Sequence, residues 1–113
     1  MTPTEIDRLI HRFVGGDATG IAAGAEHTEE PALLVAAVLL DPAQPGLLIR
    51  AAAAAKTTRD RQLVAIAGAH LAGDADRVHT LAREHLADHP DNVLVAWITS
   101  ASNHATHTRE DPS

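Results

Sequence analysis

Apolar residues recur along this chain at the spacing of α-helices. After Thr2, Pro3 and Glu5, which form a capping box with proline at the first helical position, five apolar residues fall on one helical stripe: Ile6, Leu9, Ile10, Phe13 and Val14. The two glycines at residues 15–16 end this segment. The pattern therefore predicts an amphipathic helix near the start of the sequence.

Two different segments follow this first helix. Asp17 can cap a second helix that reaches to about His27, although Gly20 and Gly24 within it each cost roughly 1 kcal/mol of helix propensity. A third helix begins at Pro31 and is apolar on every side. Its apolar run is too short to cross a bilayer, which needs about 20 such residues. We expect a buried central helix.

A turn and an alanine-rich helix come next. Residues 41–46 have turn chemistry throughout, and they precede a fourth helix predicted over residues 47–56. This helix contains an unbroken alanine run at residues 51–55. Because alanine side chains are small, the run indicates close contact with a neighbouring helix.

The fifth and sixth helices form a predicted hairpin. Thr57, Thr58 or Asp60 can cap the fifth, and Gly73 and Asp74 make a very short turn to the sixth. Both helices carry the same stripe, namely Leu63, Ile66, Ala67, His70 and Leu71 in the fifth and Val78, Leu81, Ala82, His85 and Leu86 in the sixth.

The last apolar segment covers residues 93–98, and from Ser102 onward the chain is polar without periodicity. A segment of that kind does not bury enough apolar surface to fold. We therefore expect one helical domain over residues 1–102 and a polar, disordered tail over residues 103–113.

Composition supports an all-α fold. Apolar residues make up 45% of the chain and aromatic residues only 2%, with Phe13 and Trp97 as the two aromatic positions and no tyrosine. A core of Ala, Leu, Val and Ile, rich in the best helix former, favours packed helices over sheets.

Charge and cysteine content exclude several classes of function. The formal net charge of -6 opposes a phosphate backbone, so we expect no nucleic-acid partner. Without cysteine, disulfides and thiolate chemistry are excluded. Residues 1–15 lack the layout of a signal peptide, and no segment is long enough to span a membrane, so the expected location is cytoplasmic, with no membrane partner.

One stretch resembles a known repeat family. Residues 73–78, 81–82 and 90–92 look like the second half of a tetratricopeptide repeat (TPR), a motif of about 34 residues that forms two antiparallel helices. The resemblance covers roughly residues 59–92 and departs from the family at Ala65, Ile66, Ala69, Ala82 and His85. It implies a short right-handed stack of antiparallel helix pairs, about seven helices in all.

In that family the first helix of each pair lines a concave groove. By position, the groove for a bound peptide or protein would contain Asp60, Leu63, Ala67, His70 and Leu71. Leu63 and Ala67 occupy places where some relatives carry the residues that clamp a peptide's terminal carboxylate. We therefore expect a largely apolar groove and do not predict that ligand.

A second candidate surface lies on the seventh helix. Val93, Leu94, Trp97 and Ile98 belong to a segment that is apolar around the helix, and no amphipathic helix follows to cover it. An uncovered face of this kind predicts a homodimer or a docking site for another chain. The alternative is that the helix packs between earlier ones.

The histidines raise the question of metal binding. His85 and His89 are spaced i, i+4 on one helix face beside Asp88, and His104 with His107 lies in the polar tail. A metal site needs three or four converging ligands with supporting groups, so we predict no metal and no cofactor. His70 and His85 sit on apolar stripes, where burial would shift their pKa and a pH-sensitive contact is the less favoured interpretation.

Catalysis has little support in the sequence. The serines all lie near the carboxyl end, and no Gly-x-Ser-x-Gly motif is present, so we predict no catalytic residues. The favoured function is a small non-catalytic module that binds a protein or peptide, with homodimerisation as one option. Two alternatives stay open: a histidine-dependent metal-binding protein or enzyme, and a helical domain that binds a small apolar ligand.

Overall fold

Helices of this chain begin where a proline or a capping side chain suits the first turn. The computed structural model describes residues 2–110, with the side chains of residues 2–44 and 46–102. Over that part the chain forms seven helices and no strand, which confirms the all-α class. The helices are α1 (Pro3–Val14), α2 (Ile21–Ala25), α3 (Pro31–Leu40), α4 (Pro45–Ala54), α5 (Thr58–Leu71), α6 (Ala75–Asp88) and α7 (Val93–Glu110).

Capping side chains fix the starts of α1, α5, α6 and α7, the last through Asn92. Thr2 Oγ1 accepts the backbone N–H of Glu5 at 3.2 Å, as the capping box predicts. Of the three candidates before α5 it is Thr57 that caps, because its Oγ1 accepts the N–H of Asp60 at 3.1 Å. Asp74 caps α6 in the same way. Each such cap contributes about 1 kcal/mol by satisfying a donor that the helix leaves unpaired.

Two helices differ from the predicted bounds. α2 covers five residues instead of the predicted eleven or so, because Gly20 adopts a left-handed conformation with φ of 87° and the helix begins only after it. α4 begins two residues earlier than predicted, at a proline. Proline fits the first helical position because its missing N–H would be unpaired there in any case.

The last helix is longer than its apolar segment. α7 is helical through Glu110, eight residues past the predicted domain end at residue 102. Residues 111–113 of the predicted tail lie outside the described residues. The backbone therefore continues as helix where the sequence has lost its apolar stripe, which periodicity alone did not indicate.

The central helix is α3. Seven of its ten residues are buried, and it packs against α1, α2, α4 and α5. An apolar helix without a polar face requires cover on all sides, so this placement confirms the prediction from its sequence.

Two helical hairpins are built around α3 and α5. α3 packs on α4 across a turn in which the Asp41 carboxylate accepts hydrogen bonds from the Ala43 N–H and the Gln44 amide. α5 packs on α6 across a turn centred on Gly73, whose φ of 77° is strained for residues with a side chain. α5 also contacts both α3 and α7, so these three helices lie side by side.

Candidate binding groove

The face formed by α3, α5 and α7 is covered by the chain's own first helix. α1 lies against α3 and α7, which are two of the neighbours of α5. Its buried side chains are Ile6, Ile10 and Phe13, which belong to the same apolar cluster as Leu63 and Ala67 of α5. The amphipathic stripe of α1 was evident in the sequence, but the surface that it covers was not.

The five residues of the predicted groove are not equally accessible. Leu63 and Ala67 are buried, with 4% and 0% of their surface exposed. Asp60, His70 and Leu71 are half-buried. These two side chains therefore offer almost no surface to a ligand while α1 is in place.

Trp97 of α7 contacts aromatic side chains of both α1 and α5. Its ring lies 5.0 Å from the ring of Phe13, measured between centroids, and the two planes are tilted by 48°. On its other side the edge of the His70 ring approaches at 6.5 Å. Tilted and edge-on aromatic pairs stabilise by about 0.5–1.5 kcal/mol beyond the area that they bury. The two aromatic residues of the sequence thus contact each other and hold α1 to α7.

The predicted interface on α7 divides into two parts. Leu94 and Ile98 are 1% and 0% exposed and belong to the core, because α7 packs against α1, α5 and α6. Val93 and Trp97 are half-buried. The structure therefore places α7 between earlier helices, which is the alternative left open by the sequence.

Below the groove, His85 takes part in a buried chain of hydrogen bonds. The ring is 0% exposed, with Nδ1 at 2.7 Å from Gln62 Oε1 and Nε2 at 2.9 Å from Asn92 Nδ2. The amide oxygen of Asn92 accepts the N–H of Val95 at 3.3 Å and so caps α7. Since Gln62 Oε1 only accepts and Asn92 Nδ2 only donates, His85 is neutral with its proton on Nδ1. These partners lie up to 23 residues away in the sequence, and its periodicity did not indicate them.

Burial and the charges around His85 favour the same neutral form. Its pKa lies below the ordinary value of 6.5 because of burial and, to a lesser degree, because of the nearby His89 and Arg59, with Asp88 acting in the opposite direction. The rings of His85 and His89 are 4.9 Å apart. With both ring nitrogens of His85 already hydrogen-bonded, metal binding by this pair would require the chain of hydrogen bonds to break.

Among the described hydrogen bonds, one joins an imidazole to a hydroxyl, between His70 and Ser102. His70 Nδ1 lies 2.7 Å from Ser102 Oγ, and burial lowers the pKa of His70. A serine nucleophile needs access to substrate and a base oriented by a third group. Ser102 is 4% exposed, and no carboxylate is hydrogen-bonded to His70 among the described contacts. The pair joins α5 to α7 as a packing contact.

The amino end of the groove is only partly filled. A pocket of about 260 Å³ lies between the first half of α1 and the starts of α3, α5 and α7, and it includes Ile6, Leu63 and Leu94. An open depression of about 840 Å³ continues from it towards α4 and shares Glu30 and Asp60 with it. The contact between α1 and the groove therefore leaves a pocket beside Ile6, although Ile6 and Phe13 are buried to a similar degree.

Acidic residues dominate the rim of the smaller pocket. Asp7 of α1 lines it together with Glu30, Asp60 and Asp91, and Arg59 is the one basic residue among those that line it. Like charges that share a pocket repel each other. The rim of this pocket therefore carries a net negative charge, to which Asp7 contributes.

Comparisons with known proteins do not assign a family. No protein-family model matches this chain, and no match was found among the curated proteins or the solved structures. Among the described residues, no helix is both long and apolar enough to cross a membrane, and no group of three or more His, Asp or Glu side chains is placed to hold a metal ion.

Proposed function

We propose that this chain is a small, non-catalytic helical module that binds a segment of another protein on the face formed by α3, α5 and α7. The observation that carries the proposal is that this face already accommodates a helix, since α1 lies on it with Ile6, Ile10 and Phe13 buried. Helix-in-groove recognition uses apolar anchors at this i, i+4, i+7 spacing.

The arrangement of the helices supports a TPR-like interpretation. In a stack of paired helices the first members of successive pairs lie side by side and form the concave surface. α3, α5 and α7 are neighbours of that kind, with α4 and α6 packed behind α3 and α5 respectively. We propose that the TPR-like segment at residues 59–92 is one repeat of this stack. The proposed partner is a cytoplasmic protein or peptide.

The alternatives find less support. A metal-binding or catalytic role for the histidines would use His70 and His85, but both are engaged in hydrogen bonds to polar side chains. A small apolar ligand would have to bind in a pocket whose rim carries four carboxylates. Self-association through α7 would involve Val93 and Trp97, and light scattering over a range of concentrations measures it.

Charge reversal on the groove rim tests the proposed function. The full chain and its Asp60→Lys, Asp91→Lys variant are each used to retain proteins from a cell extract, with the Glu84→Lys, Asp88→Lys variant as a control of equal charge on α6. A retained protein is then purified, and its affinity is measured directly. We expect the rim variant to bind it at least about tenfold more weakly, with little change for the control. Equal affinity for the wild-type chain and the rim variant would contradict the proposal.

A further inference from the structure

We propose that α1 is a removable ligand of its own groove, and that the partner displacing it is an amphipathic helix with a basic residue at the position that Asp7 occupies. The inference rests on the proposed function and names the chemistry of its partner. It combines the docking of α1, the unfilled pocket beside it and the charge of the rim.

Among the described side chains, apolar contact alone holds α1 to the rest of the molecule. Its described side-chain hydrogen bonds are local, from the Glu5 N–H to Thr2 and from the His11 ring to the Asp7 carbonyl. The described ion pair of α1, between Asp7 and His11, is also internal. Since an exposed pair of that kind contributes little, leaving the groove costs α1 mainly the burial of its apolar stripe, in which three side chains are buried and Leu9 and Val14 are partly buried.

The connection to the body allows α1 to move as a unit. α1 ends at Gly15, whose N–H bonds back to the His11 carbonyl, and Gly16 follows with a φ of 103°. Both ends of the helix are therefore satisfied within residues 2–17, without help from the groove. A released helix of this length is only marginally stable in water, so it would fray and stop competing for the groove.

Charge determines which helix binds better than α1. Asp7 shares its pocket with Glu30, Asp60 and Asp91, against Arg59 alone. A lysine or arginine at that position would turn repulsion into attraction while the apolar anchors stay the same. Its longer side chain would also enter the pocket of about 260 Å³ that α1 leaves open.

Peptide binding to the full chain tests this inference. The probe is a labelled peptide of residues 2–16, compared with the same peptide carrying Asp7→Lys, and binding is followed by fluorescence anisotropy. We expect the lysine peptide to bind roughly five- to tenfold more tightly at low salt, and the difference to shrink as salt screens the rim. Equal affinities, or a difference that salt does not change, would overturn the charge argument.

Competition by the attached α1 gives a second readout. In the Phe13→Ala full chain the tethered helix is weakened, so we expect the labelled wild-type peptide to bind at least about tenfold more tightly than it binds the wild-type chain. Ile49→Ala, at a side chain that is 69% exposed on α4, is the control and should leave the affinity unchanged. No gain in the Phe13 variant would overturn the idea that α1 occupies the groove reversibly.

An exposed substitution covers the case in which the Phe13 variant does not fold. Asp7→Lys in the full chain strengthens the tethered helix, so the labelled peptide should bind more weakly than to the wild-type chain, whereas Glu84→Lys should have no effect. Unchanged binding in the Asp7 variant overturns the inference. If an extract partner depends on the rim but the peptide neither binds nor competes, the inference fails and the proposed function stands. If the peptides behave as expected and no partner depends on the rim, the proposed function fails instead.

Discussion

Replacing Asn92 with aspartate should reverse the protonation preference of His85. In the wild-type chain the Asn92 amide donates to His85 Nε2, while its oxygen caps α7 through the Val95 N–H. An aspartate keeps the capping oxygen but has no hydrogen to donate. His85 would then need a proton on Nε2 to maintain the contact, so the variant favours the charged imidazole that the wild-type chain disfavours.

The size of the effect follows from the pKa of His85. Burial keeps it below 6.5 in the wild-type chain, so the free energy of unfolding falls as pH drops through about 6.5 and towards the folded pKa. A carboxylate at hydrogen-bond distance raises a histidine pKa by about 1–3 units, and each unit corresponds to about 1.4 kcal/mol. In the aspartate variant this stabilisation is present below about pH 6.5 and lost as pH rises through the raised pKa. One titrating group changes the free energy of unfolding by at most about 1.4 kcal/mol per pH unit, so the variant should gain up to about 2.8 kcal/mol relative to wild type between about pH 8 and pH 6.

Proton NMR of the histidine Cε1–H signals measures the pKa directly, with His85→Gln identifying the signal. Urea unfolding of both chains at several pH values then gives the difference in stability. Asn92→Ala shows what both hydrogen bonds of Asn92 contribute, because it removes the cap of α7 and leaves His85 Nε2 without a partner. We expect it to lower the free energy of unfolding by about 2–4 kcal/mol. Ser100→Asp adds the same charge at an exposed position of α7 and should not move the His85 pKa.

A His85 pKa in the aspartate variant that is no higher than in the wild-type chain would refute the reasoning. It would mean that Nε2 does not depend on Asn92, and that the hydrogen-bonded chain from Gln62 to α7 is not maintained in solution.

Three further predictions concern stability and use urea or thermal unfolding. Gly73→Ala should cost about 1–2 kcal/mol because the φ of Gly73 is 77°. Gly46→Ala should stabilise by about 0.5–1 kcal/mol, because Gly46 has an ordinary φ and open space around it. Equal effects of the two substitutions would contradict the left-handed conformation of Gly73. Trp97→Ala should destabilise by about 2–4 kcal/mol through its lost ring contacts, and a neutral result would place the side chain outside the core. The wild-type chain should lose stability from about pH 7 to pH 5, by at most about 1.4 kcal/mol per pH unit for each of His70 and His85, and a flat profile would exclude both pKa shifts.

Local chemistry explains which parts of the fold were predictable. α3 was predicted within its observed bounds because a proline starts it and Asp41 with Pro42 ends it, both of which act within one turn. α2 was predicted too long because Asp17 can cap a helix, whereas the observed helix begins only after Gly20. The helical end of α7 has no apolar stripe to reveal it.

The groove was less predictable for a different reason. A stripe of apolar residues shows which side of a helix is buried but not which surface buries it. Ile6, Ile10 and Phe13 pointed to an amphipathic helix, whereas its docking across α3 and α7 depends on contacts many residues apart. For the same reason Leu63 and Ala67 were assigned to an open groove, although the chain itself covers them.

Contact between the first and the last helix has a consequence for synthesis on the ribosome. α1 is made first, but part of the surface on which it lies belongs to α7 and does not exist until residues 93–98 have been translated. At about 5–20 residues per second, the nascent α1 waits for several seconds with the part of its apolar stripe that faces α7 uncovered. During that interval other binders can reach it without competition from the groove, so co-translational encounters differ from those of the finished protein.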